Sequence, residues 1–101
     1  MVQFISAHSV KLAERYSPQT IYTVPANKMF ILTDIFTTTY AVFEIFENDS
    51  LKTKVDLGDE TPVLSMHLRT GIPFSSGSTV KIYQNFGPGK NITITGYLLN
   101  N

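Results

Sequence analysis

The chain has two histidines, His8 and His67, and no cysteine, so imidazole chemistry draws on two rings at most. A zinc site built on them would need two further ligands from carboxylates, and no spacing in the sequence points to such a set. His67 stands between Met66 and Leu68 in a strand-like stretch, which suits a solvated or hydrogen-bonded ring. Ser75, Ser76 and Ser78 lie in a glycine-containing segment, yet no G-x-S-x-G elbow surrounds them, and serine serves turns well. Gly87-Pro88-Gly89-Lys90 shares only its ending with a phosphate loop. That pattern needs glycine at 84 and serine or threonine at 91, where Gln84 and Asn91 stand, and a helix behind it. The segment reads as a hairpin turn.

Six of the eight acidic residues fall between Glu44 and Glu60. Asp56, Asp59 and Glu60 surround Gly58 and offer oxygen ligands to calcium, although EF-hand spacing is absent and Lys52 and Lys54 lie close by. Glu44 is the odd residue, a carboxylate among Tyr40, Val42 and Phe46. If that face is covered, Glu44 needs a partner such as Lys28, Arg69 or a tyrosine hydroxyl. Tyr22, Tyr83, Tyr97 and Phe86 offer rings on which a sugar could stack, though such residues more often serve as core or interface anchors.

The elements that must position these residues are strands. Valine, isoleucine, threonine and aromatic residues dominate, a composition that fits pleated surfaces. Alternating segments predict strands over 2–7, 20–24, 28–37, 40–47, 51–57, 63–68, 80–84 and 91–99, with residues 9–16 open between strand and helix. Residues 71–78 hold Pro73, two glycines and three serines and read as a long connection. Eight or nine short strands without an amphipathic helix predict an all-β, single-domain antiparallel β-sandwich over residues 1–101. Hairpin-like spacing mixed with longer connections favours a jelly-roll.

Two of these strands carry large apolar side chains on both faces. Strict alternation gives Phe30, Leu32 and Phe36 against Met29, Ile31 and Ile35, then Tyr40, Val42 and Phe46 against Ala41, Phe43 and Ile45. A two-layer sandwich buries one face of each sheet, so the second apolar surface calls for another copy of the chain. Candidate interface residues are Phe30, Leu32, Phe36, Tyr40, Val42, Phe43 and Tyr97. A standard interface covers about 800 Å² per partner, which a few aromatics at roughly 150–250 Å² each largely provide.

Lysine plus arginine balances aspartate plus glutamate, eight against eight, giving no broad field for nucleic acid or anionic lipid. No apolar run reaches the length of a spanning helix, and the opening Met1-Val2-Gln3-Phe4 shows no secretory leader. A cytoplasmic or virion-associated protein is expected, without cofactor.

Three segments carry a resemblance: Tyr22-Thr23-Val24-Pro25-Ala26-Asn27-Lys28 running into Met29–Ile35, then Gly71-Ile72-Pro73-Phe74 with Gly77-Ser78-Thr79-Val80, and Ile92-Thr93-Ile94-Thr95-Gly96-Tyr97-Leu98-Leu99. Together they resemble small bacterial or phage jelly-roll-type proteins of unassigned role. The last strand also looks like the closing strand of trimeric jelly rolls of the tumour-necrosis-factor and C1q type. The resemblance implies a homotrimer and supplies no catalytic residue. The reading is therefore a non-enzymatic structural or adhesive module that homo-oligomerises. The alternatives are a carbohydrate-binding module, calcium-assisted through Asp56, Asp59 and Glu60, and a small enzyme with a site between subunits.

Overall fold

Alternation and turn chemistry give eight strands: β1 (Gln3–Leu12), β2 (Gln19–Thr23), β3 (Lys28–Thr37), β4 (Val42–Glu47), β5 (Ser50–Asp56), β6 (Ser65–Phe74), β7 (Thr79–Gln84) and β8 (Lys90–Asn100). The computed structural model describes residues 3–12, 18–37, 42–56, 65–84 and 90–100, and of 6–12, 56, 84, 90 and 91 the backbone alone. Two four-stranded sheets run in the orders β1-β8-β3-β6 and β2-β7-β4-β5, with every neighbouring pair antiparallel. The pairings are nested: β1 with β8, β2 with β7, β3 with β6 and β4 with β5, as if one long hairpin had been rolled up. Ladders between β3 and β8 and between β4 and β7 complete each sheet. This is the jelly-roll order, and the fold expected from sequence.

Turns form where the residues permit them. Asn27 and Asn48 hold positive φ of 63° and 53°, a region asparagine enters more readily than most residues. Asn48 also accepts hydrogen bonds at its Oδ1 from the Thr79 amide (3.0 Å) and hydroxyl (3.2 Å), fixing the β4–β5 turn to the start of β7. Glu47 accepts from the Ser75 amide at 2.5 Å and lies 3.6 Å from Lys52. The Ser75 bond outweighs the cost of partial burial and holds the Glu47 carboxyl below its ordinary range.

The core lies between the sheets. Phe30, Leu32, Ile35, Phe74, Ile92, Ile94 and Leu98 come from the first sheet, and Phe43, Ile45, Val55, Val80 and Ile82 from the second. Phe30, Leu32 and Phe43 are thus enclosed by the chain's own sheets and leave the set of candidate interface residues. Full enclosure of rings and aliphatic chains is worth about 2 kcal/mol each, so these columns bind the sandwich together rather than a partner.

A bulge decides which residues face inward. Leu32 pairs with Gly96 and Asp34 with Thr95, leaving Thr33 extra in β3. An extra residue reverses the alternation beyond it. Ile35 and Thr37 therefore turn inward, while Phe36 leaves the column of Phe30 and Leu32 and is 43% exposed. On the neighbouring strand, residues 68–71 are looped out at the same point, since Ile72 pairs with Leu32 and His67 with Asp34. Gly71, at φ 76°, makes this detour possible, and a Cβ there would meet the Ile31 side chain at 2.4 Å. Gly71 thus lies over Ile31, which points out of the sandwich yet is only 9% exposed.

The segment read as one long connection is corrected accordingly. β6 continues through Gly71 and Pro73 to Phe74, and the turn proper is confined to residues 75–78. Pro73 is tolerated because β6 is an edge strand. Residues 9–12, open in the sequence, continue β1.

Candidate interaction face

The register of β1, β8, β3 and β6 arranges outward residues of the first sheet in rows. One row runs Phe4, Tyr97, Ile31, Pro73; the next holds Thr95, Asp34 and His67; a third holds Thr93, Phe36 and Ser65. Successive rows lie roughly 7 Å apart, two residues along a strand. Phe4 is 82% exposed and Phe36 43%, so two open rings bracket a polar row on one face.

The polar row is tied to Asp34. Its Oδ1 lies 2.7 Å from His67 Nδ1, while its Oδ2 accepts from the Thr33 hydroxyl at 2.9 Å and the Thr95 hydroxyl at 3.1 Å. The bulge creates this arrangement by bringing Thr33 beside Asp34. Burial alone would raise the carboxyl, but the bonds from His67, Thr33 and Thr95 and the attraction of His67 prevail, leaving Asp34 below its ordinary value. An ionised carboxylate only accepts, so His67 Nδ1 carries the hydrogen of that bond. Asp34 therefore orients the exposed imidazole with Nε2 toward solvent. Among the described residues no third group is bonded to His67.

Beside this row opens a hollow of about 320 Å³ lined by Phe4, Ile5, Thr33, Asp34, Thr95 and Gly96. Gly96 contributes backbone to the hollow and its open side faces the core, where a Cβ would meet the Ile31 carbonyl oxygen at 2.0 Å and the Phe30 ring at 2.8 Å. Glycine is the residue that fits there.

The other sequence candidates lie elsewhere. Val42 is half-buried on β4, in the opposite sheet from Phe36 and Tyr97, so the surface members of the interface set divide between two faces. Tyr22 packs against Phe30 with ring centroids 5.0 Å apart, and burial raises its hydroxyl pKa. It belongs to the edge of the core and not to a stacking platform. Tyr83 meets Phe46 edge-on at 6.4 Å, in the second sheet. Glu44 is flanked in register by Tyr83 and Lys54 rather than by Lys28 or Arg69. Tyr40, Asp59, Glu60 and Phe86 lie outside the described residues, as do the side chains of Asp56 and His8. Asp34 was missed; a lone carboxylate within the apolar stretch 28–37 was the available signal, of the same kind that marked Glu44.

The rolled order of the strands places the chain among jelly-roll sandwiches, by fold alone. The nucleoplasmin-like N-terminal domain of Drosophila FKBP39 is similar in structure: TM-score 0.52 at 14% identity, covering 100% of this chain and 91% of that one. No protein-family model and no curated protein matches the chain.

Proposed function

We propose that the chain is a non-enzymatic interaction module that associates with copies of itself through the outer face of the β1-β8-β3-β6 sheet. The observation that carries this reading is the pair of open rings, Phe4 at 82% and Phe36 at 43% exposure, on one face. Tyr97 and Pro73 share the row of Phe4, and the row of Asp34 lies between them and Phe36. Exposed apolar surface gathered on one face marks a contact site, and a chain with eight charges of each sign is not repelled by its own copies.

Sedimentation velocity over a wide concentration range tests this. Assembly is expected, with three copies in line with the closing strand's resemblance. Phe36→Asp is expected to yield monomers with unchanged secondary structure. A wild-type chain that stays monomeric at high concentration overturns the reading.

A further inference from the structure

The hollow beside Phe4 has a chemistry of its own. Both threonine hydroxyls on its wall donate to Asp34 Oδ2, and Thr33 Oγ1 also lies 3.3 Å from the Thr95 carbonyl oxygen. A hydroxyl has one hydrogen, so these groups present only lone pairs to a visitor. The wall is thus an ionised carboxylate and two hydroxyl oxygens, all acceptors. The open ring of Phe4, whose face is electron-rich, also lines the hollow.

From this we infer that the hollow binds an organic cation: a guanidinium or primary ammonium group on an aliphatic stem, held between the Asp34 carboxylate and the Phe4 ring. The carboxylate supplies charge-assisted hydrogen bonds, and the ring supplies a cation–π contact. The stem of such a group finds apolar surface at Ile5. A neutral sugar, which needs donors as well as acceptors, is served less well by this wall. The cation could be a free ligand or a basic side chain of a protein. Arg69 is one source from a second copy: it is exposed on β6 of the same sheet, and no bond or ion pair involves it among the described residues.

The test is a titration of the isotope-labelled full chain, in mildly alkaline buffer, followed by amide NMR. The probes are acetyl-arginine amide, acetyl-lysine amide and acetyl-citrulline amide, the last being arginine's neutral near-isostere. The cations are expected to shift the amides of Phe4, Thr95 and Gly96 at millimolar concentration, and citrulline is not. Asp34→Asn is expected to weaken binding about tenfold. Phe4→Leu, at an open position that folding does not depend on, is expected to weaken it about threefold. Equal shifts from citrulline, or undiminished binding in both variants, overturn the proposal, as does silence up to about a hundredfold higher concentration.

The source is read from mass under the same titration. Dissociation of the assembly by acetyl-arginine amide, matched by loss of assembly in Arg69→Gln, assigns the site to a second copy. Binding with the mass unchanged assigns it to a free ligand or another protein. The inference does not depend on self-association: a monomer that binds the cations fails the earlier reading and keeps this one.

Discussion

The two outer faces of the sandwich differ in how charge is laid out. On the β2-β7-β4-β5 sheet, register sets Tyr83, Glu44 and Lys54 in one row and Thr20, Lys81, Phe46 and Leu51 in another. In these two rows the apolar groups have a cation beside them, Phe46 meets the Tyr83 ring, and Lys81 lies 3.4 Å from Asp49. Lys52 and Lys54 also mark the β5 edge, a common guard against strand pairing between molecules. On the β1-β8-β3-β6 sheet the row Phe4, Tyr97, Ile31, Pro73 carries no charge at all. In the next row Asp34 holds His67 through its Oδ1. The same alternation builds both sheets, so the difference comes from which residues fill the outward positions. One face mixes charge with its apolar groups, and the other separates them into rows.

The comparison can be broken from the inside first. Phe30→Ala, beneath the apolar face, is expected to cost about 4 kcal/mol of stability in chemical denaturation, whereas Phe4→Ala on its surface should change the monomer by less than about 0.5 kcal/mol. Gly96→Ala should cost about 3 kcal/mol, because the added carbon meets backbone at Ile31 rather than a yielding side chain. Sharper on the two faces is a pair of charge substitutions read by sedimentation. Phe36→Asp should abolish assembly, and Lys54→Glu on the opposite face should leave the mass as it is. If Lys54→Glu dissociates the protein and Phe36→Asp does not, the faces have been assigned the wrong way round.

Smaller effects concern the carboxylates. Glu47→Gln should lower stability by about 1 kcal/mol, since the Ser75 amide loses its charged acceptor. Asp34 and Glu47 both have folded pKa values below their ordinary ones, so each contributes stability that is fully present above the unfolded value. That contribution is lost as pH falls from about 4 through the lower folded values. A denaturation series across this range should show wild type losing stability faster than the Asp34→Asn, Glu47→Gln double variant. Parallel slopes would mean that the two carboxylates do not contribute in this way.

Much of the architecture could be read from alternation and turn residues. The β3, β4 and β5 segments fall where apolar spacing and the Asn48-Asp49 turn put them. The failures share a cause, which is that period two assumes an unbroken ladder. Nothing in Leu32-Thr33-Asp34-Ile35 announces an extra residue, because the bulge is held by Thr95 and His67 from distant strands. Without it Phe36 joins the wrong column and Phe30 and Leu32 look like surface. Gly71 and Pro73 look like a loop for the same reason, since their place on an edge strand is a property of the sheet and not of the segment. For the site, His67 was visible as a rare residue and Asp34 was not, being 33 positions away and tied to it only by β3–β6 pairing.

The rolled hairpin has a practical corollary for anyone handling this protein. Gln3 stands directly across from Leu98, so the start of β1 and the end of β8 lie side by side next to Phe4. A bulky group attached near the start of β1 or the end of β8 would crowd that ring, so association is best measured with neither segment burdened.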